Sequence, residues 1–270
     1  MPNISNFLQT IKLPVMPEVA RALIQTLNDE DADVVSVRNV IAKDPTLTAV
    51  LLRMANSAIF GLSRSVTSLD SAVSVVGMSQ IRARALSISI SSALSLPAGL
   101  NRLEFWRYCM VCAGYSKWVA SNLGMDEQQA WLTGMMLHLG QVMIAQHSPH
   151  QLQMIEAQPR QPGERWQRQR LATGFDEGQI MAEVAMRWDF PEEIVNALRH
   201  AANPLEAQSM TRLACVVHLA GTLADNTGSA EAAVTSLPSG VMNAISLDLE
   251  RLKVRVPSAE SLNDTSMLQI

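Results

Sequence analysis

Residues 85–96 read ALSISISSALSL, and the fold class turns on whether this stretch is a strand or a helix. Leu86, Ile88, Ile90, Leu94 and Leu96 alternate with serines and alanine, which is close to the period of a half-buried strand. A strand, however, needs a neighbour to take up its backbone N–H and C=O groups, and no partner strand is visible elsewhere in the 270 residues. The stretch is therefore expected to be a helix, and the chain all-α. Composition points the same way: Trp, Tyr and Phe number only 5, 2 and 5, whereas Met reaches 15, a palette that favours helices over sheets.

Upstream, Pro14 and Pro17 in LPVMPEVA open a helix that carries Val19, Leu23 and Leu27 and ends in NDEDAD. Ser36 begins a short helix with Val37, Val40 and Ile41 on its apolar face. Asp44 and Pro45 then read as N-cap and first turn of a helix striped by Leu47, Val50, Leu51 and Met54, with Asn56 and Gly61 at its exit. Thr67 and Asp70 form a capping box for the next helix, which carries Leu69, Ala72, Val73 and Val76 and stops at Gly77.

Downstream, Pro97 and Gly99 punctuate the chain and place a boundary there. A long helix follows to Gly124, then a single buried, Met-rich helix behind Asp126. Residues 156–174 begin as loop and are basic, with Arg160, Arg165, Arg168 and Arg170 against Glu164. Helices are expected at 175–188, at 191–202 behind Pro191 and at 209–225, and a linker leads to a last amphipathic helix on Val241, Ile245, Leu249 and Leu252. The division that results is 1–98, 99–226 and a C-terminal helical extension at 227–270.

The balance of 21 Lys and Arg against 25 Asp and Glu gives a net charge of -4. This argues against a general nucleic-acid binder, whose affinity comes from neutralising phosphates. With 48% hydrophobic and 17% charged residues, the chain has the composition of a folded protein. Three cysteines, an odd number, suit a reducing compartment. No signal peptide and no apolar run long enough to span a bilayer is visible, so a soluble cytoplasmic protein with no membrane partner is expected.

Several phrases occur together in one order: LPVMPEVA, AKDPTLTAVLLRMANSAIFG and VTSLDSAVSVVG, then FWRYC, AWLTGMMLHLG, TGFDEGQIMAEVAMRWDFP and ALRHAANP. Over residues 12–220 the chain resembles the HDOD family, a bacterial signalling branch of the HD phosphohydrolase superfamily. The resemblance implies two packed helical subdomains, the second a degenerate form of the metal-binding HD bundle, and a regulatory role. It also implies that Arg53 and Asn56 are structural, Asn56 near a helix end and Arg53 on carbonyls or a carboxylate between the subdomains.

HD phosphohydrolases hold divalent metal with imidazoles and carboxylates and use it to activate water against a phosphoester. In this chain the His-Asp pair position reads His138-Leu139, and leucine has no lone pair to donate. The first ligand histidine of the family falls at Tyr108 and a later one at Glu177. A His-His pair falls at Ala201 and Ala202, and the late aspartate near Gly221. Hydrolysis by the ancestral route is therefore not expected. The cleft formed by Tyr108, His138, Leu139, Glu177, His200, Ala201, His218 and Gly221 is instead expected to receive a signalling protein or a small ligand, with no cofactor, and to act by shifting the population of lobe arrangements.

Three sharper alternatives stay open at this point. A displaced metal site could use His138, His200, His218 and Asp225, the last two on one helix face, and would make the chain a divergent metal-dependent phosphohydrolase. Cys109, Cys112, Cys215 and His218 resemble a zinc set, although both pairs lie at core-facing helical spacing. Arg165, Arg168 and Arg170, with Trp166 among them, could contact a phosphate such as that of a cyclic nucleotide, or a partner, although a solvated loop is the simpler reading. No nucleophile elbow or P-loop occurs.

Overall fold

The computed structural model describes residues 3–29, 31–57, 65–157, 161–208, 210–226 and 228–263. Every regular element among the described residues is a helix. These residues fall into two compact units, one built from 14–95 and 187–191, the other from 3–13, 96–186 and 192–263.

The first helix, α1 (Ile4–Gln9), belongs to the larger unit rather than to an N-terminal subdomain. The physical reason is Phe7, whose ring lies 4.5 Å from that of His147 and 6.0 Å from that of Phe175.

The smaller unit contains α2 (Glu18–Asn28), α3 (Val34–Ile41), α4 (Pro45–Ala55), α5 (Leu69–Val76) and α6 (Met78–Ala93). Asp44 caps α4 by accepting from the Leu47 amide at 3.0 Å, with Pro45 in the first turn where its missing N–H does no harm. At the other end Asn56 pins the returning chain. Its Nδ2 donates to the carbonyls of Leu52 at 2.8 Å and Val66 at 2.7 Å, and its Oδ1 accepts from the Val66 amide at 2.7 Å. Arg53 is exposed on α4. Ser68, not Thr67, caps α5, its hydroxyl accepting from the Ser71 amide at 3.2 Å. The exit expected at Gly61 lies outside the described residues.

The ambiguous stretch is helical. Helix α6 packs against α2, α3, α4 and α5, and Ala85 through Ile90 are all buried. Its serines satisfy themselves on their own helix: Ser87 donates to the Arg84 carbonyl at 2.9 Å, Ser91 to Ile88 at 2.8 Å and Ser92 to Ser89 at 2.8 Å. A hydroxyl that bonds one turn back can be buried on any face, so the alternation records small polar filler in a surrounded helix rather than two faces of a strand.

The larger unit continues with α7 (Arg102–Asn122), α8 (Glu127–Leu137), α9 (Gly140–His147), α10 (Pro149–Glu156), α11 (Glu164–Thr173), α12 (Glu177–Arg187), α13 (Glu192–Arg199) and α14 (Arg212–Asp225). It closes with α15 (Ala230–Thr235), α16 (Ser239–Ala244), α17 (Leu249–Lys253) and α18 (Ala259–Leu262). Helix α7 is the central element, packed against α8 and α14.

The expected single helix after Asp126 is two, because the backbone tightens at His138 and Leu139, where the Leu139, Gln141 and Val142 amides bond three residues back. The expected basic loop contains a helix, α11, framed by Gly163 and Gly174, both with positive φ. The expected final helix is two short ones, interrupted where Ser246 takes a φ of 55°. Residues 228–263 pack as part of this unit: the Tyr115 hydroxyl donates to the Pro257 carbonyl at 3.3 Å, and α18 lies on α7.

Candidate functional site

The break between α8 and α9 positions His138. A Cβ at Gly140 would run into the backbone carbonyl of Glu177, so the first turns of α9 and α12 meet backbone to backbone. That approach brings the His138 Nδ1 to 2.8 Å from the Glu177 Oε2. Both side chains are buried, at 1% and 0% exposure.

Helix α11 supplies the rest of the Glu177 shell. Arg165, Trp166 and Gln169 fall on one helix face, and all three are buried. Arg165 Nη2 donates to Glu177 Oε1 at 3.2 Å, Trp166 Nε1 to the same oxygen at 3.1 Å, and Gln169 Nε2 to Oε2 at 3.3 Å. The Gln169 Oε1 in turn accepts from the Glu177 backbone amide at 2.9 Å. Burial by itself pushes the Glu177 carboxyl up, but Arg165 and the hydrogen bonds from His138 and Gln169 outweigh it and hold the pKa at about 2.

Arg165 is shared. Its Nη2 also lies 3.3 Å from Asp225 Oδ1, at the end of α14, and its Cζ sits 4.3 Å from the centre of the Tyr108 ring on α7. A guanidinium placed over an aromatic ring and flanked by two carboxylates keeps its charge in a buried place. Burial raises the pKa of Asp225, with Arg165 opposing and Glu177 reinforcing the shift. The Tyr108 hydroxyl donates to the Gly221 carbonyl at 3.3 Å, and burial keeps it protonated.

Gly221 has a specific reason to lack a side chain. A Cβ there would lie 2.8 Å from the Trp166 indole, which fills the space that a residue at 221 would enter. Trp166 also packs on His218, ring centres 5.2 Å apart. The His218 Nδ1 lies 2.7 Å from the Ala201 carbonyl, to which a neutral ring donates. Burial lowers the pKa of both His138 and His218, so both rings are neutral near pH 7. The proton that faces Glu177 is then the Nδ1–H of a neutral imidazole.

Tyr108, His138, Glu177 and Gly221 thus converge, joined by Arg165 and Asp225, with His218 and Ala201 attached through Trp166. His200 is half-buried, just past the end of α13. Leu139 is core at the head of α9. Of the basic residues, Arg165 is 1% exposed and Arg170 donates to Asp176 Oδ2 at 2.9 Å, which corrects the reading of this segment as a solvated basic loop. Arg168 is half-buried on the same helix.

Beside the cluster is a cavity of about 350 Å³, lined by Glu104, Phe105, His138, Gln141, Leu152 and Glu156 among others. A second cavity of about 690 Å³ touches Tyr108 and is bordered by Arg107, Leu223 and Glu260. Glu104 borders both.

The residues present do not fit a divalent metal. Glu177 and Asp225 are both engaged by the Arg165 guanidinium, so neither carboxylate is free to face a metal, and the His138 and His218 rings have only their Nε2 atoms left to offer. Among the described residues, no group of three or more His, Cys, Asp or Glu side chains is arranged to hold a metal ion. Cys109, Cys112 and Cys215 are free and buried, and burial raises the pKa of each thiol.

Sequence reasoning missed the part played by Arg165, Trp166 and Gln169. The available signal was their spacing, i, i+1 and i+4, between a Pro-Gly start at 162–163 and a glycine stop at 174.

Comparison with known proteins agrees with the geometry. An HDOD domain protein of unknown function from Geobacter sulfurreducens is similar in structure, with a TM-score of 0.73 at 19% identity, over 99% of this chain and 97% of that one. So is a candidate phosphohydrolase from Shewanella amazonensis SB2B, with a TM-score of 0.73 at 24% identity over 97% and 95% of the two chains. A candidate signal transduction protein from Marinobacter aquaeolei VT8 gives a TM-score of 0.75 at 22% identity, over 98% of this chain and 59% of that one. At these identities the likeness is one of fold. An uncharacterized protein of Treponema pallidum (strain Nichols) is 21% identical over 194 residues, covering 71% of this chain and 38% of that protein, so the chain spans well under half of this curated relative. Residues 13–204 match the HDOD domain, and the chain belongs to the HDOD family.

Proposed function

We propose that the protein is a non-catalytic signalling module that acts by binding a partner protein. The observation that carries this reading is Arg165, a permanent cation set between the two carboxylates at the heart of an HD-related bundle. A guanidinium compensates buried negative charge, but it cannot coordinate a water and lower its pKa, which is the chemistry phosphoester hydrolysis of this type requires. With the reaction gone, recognition is the remaining use of such a body.

A protein partner is favoured over a cyclic nucleotide. Arg165 is committed inside the core and Arg170 to Asp176, so two of the three arginines considered for phosphate are engaged. The cavity beside His138 is bordered by Glu104 and Glu156, carboxylates that disfavour an anionic ligand.

The test combines affinity capture from native lysate, with the full chain as bait, and an assay of bis(p-nitrophenyl) phosphate cleavage in manganese. The expected result is one protein retained in stoichiometric amount, without turnover. Manganese-dependent turnover that disappears in His138→Ala would overturn the proposal in favour of a divergent metal-dependent phosphohydrolase built on His138, His200, His218 and Asp225.

A further inference from the structure

We propose that the Arg165 guanidinium is the resident cation of this site, standing between Glu177 and Asp225 in place of a metal, and that it makes the fold independent of divalent ions. The inference deepens the non-catalytic reading and takes the HD ancestry from it.

Two carboxylates buried this deeply need a positive partner, because an ionised carboxylate without one is strongly disfavoured in a protein interior. One Nη2 lies near both: it donates to Glu177 Oε1 at 3.2 Å and faces Asp225 Oδ1 as an ion pair at 3.3 Å, without a hydrogen bond. The surrounding positions are fitted to that arrangement. Tyr108 offers a ring face to the guanidinium, 4.3 Å from its Cζ. Trp166, the next residue along α11, takes the space left open at Gly221 and donates to Glu177. His138 closes the far side of Glu177. Thus α7, α8, α11, α12 and α14 all deliver a group to one arginine or to its carboxylate partner. The Nε and Nη1 of Arg165 make no hydrogen bond among the described residues, so charge and the cation–π contact dominate the fit over a bidentate fork. A covalently attached cation cannot be lost to chelators or exchanged, and it needs no metal supply.

The test is a set of thermal unfolding measurements on the full chain, with equilibrium dialysis against manganese. The wild type should melt at the same temperature after EDTA treatment and in millimolar manganese, and should take up no stoichiometric ion. Arg165→Met should melt roughly 10 °C lower, as expected for stranding buried carboxylates. Adding Asp225→Asn to Arg165→Met should recover part of that loss, and Arg165→Lys should fall between Arg165→Met and wild type. If Arg165→Met does not fold, the lysine and double variants carry the comparison. A wild type stabilised by one equivalent of manganese overturns the proposal. So does an Arg165→Met that melts like wild type, or a double variant no better than the single one. Metal uptake without turnover would defeat this inference alone, whereas manganese-dependent turnover would defeat the functional reading.

Discussion

Helices α6 and α11 both bury polar side chains, and they do so by opposite means. In α6 the serines between Leu86 and Ile90 are small, and Ser87 answers its own polarity by bonding to the carbonyl three residues back. In α11 the guanidinium of Arg165 and the amide of Gln169 cannot be satisfied locally, and they reach Glu177 on α12 and Asp225 on α14. The lesson is that a hydroxyl can be buried by secondary structure alone, whereas a buried charge ties together whatever elements compensate it. Polar substitutions should therefore be cheap in the first helix and expensive around the second.

The largest expected effect comes from breaking the shared carboxylate. Glu177→Ala leaves Arg165, Trp166, Gln169 and His138 without their common acceptor, and should cost about 3–5 kcal/mol in urea unfolding at pH 7. An unchanged midpoint would mean that the cluster does not hold the helices together. Gly221→Ala tests the packing side of the same site. The added methyl meets the Trp166 indole at 2.8 Å, and overpacking of this kind should lower stability by about 1–3 kcal/mol and alter the near-UV circular dichroism.

Acid sharpens the comparison between the units. All five histidines lie in the larger unit, and burial lowers the pKa of His138 and His218 below the ordinary 6.5. The unfolded chain therefore binds protons at these positions that the folded chain refuses, and stability should decline as pH falls below about 6.5. Glu177 acts lower down. Its ionised form favours the folded state above the ordinary carboxylate value of 4.5, and that contribution is lost as pH falls towards about 2. Hydrogen exchange at pH 5 and pH 7 should then show weakened protection in the larger unit and little change in α2 to α6. A uniform loss across both units would contradict this assignment. The smallest effect is expected from Ser87→Ala, which removes a bond internal to α6 and should stay within about 1 kcal/mol of wild type.

What could be read from the sequence follows the same division between local and distant causes. Helix starts governed by neighbouring residues were legible, as at Asp44-Pro45 and Asp126, whose side chains cap α4 and α8. The all-helical class was legible from the missing strand partner, and the family from phrases in a fixed order. The positions of Tyr108, His138, Glu177 and Gly221 around one point were available from the resemblance. The cation at that point was not, because an arginine among other arginines in a Pro- and Gly-containing segment has the local signature of a solvated surface. Its burial depends on Glu177 and Asp225, 12 and 60 positions away in sequence. The break at His138 was hidden for a similar reason, since it is the backbone of Glu177 that presses on Gly140.

The most direct test of the account is a crystal grown or soaked in manganese, with diffraction recorded at the manganese absorption edge. The account predicts continuous guanidinium density between Glu177 and Asp225, with no anomalous peak there. An anomalous peak coordinated by those two carboxylates, with the Arg165 side chain displaced, would contradict it.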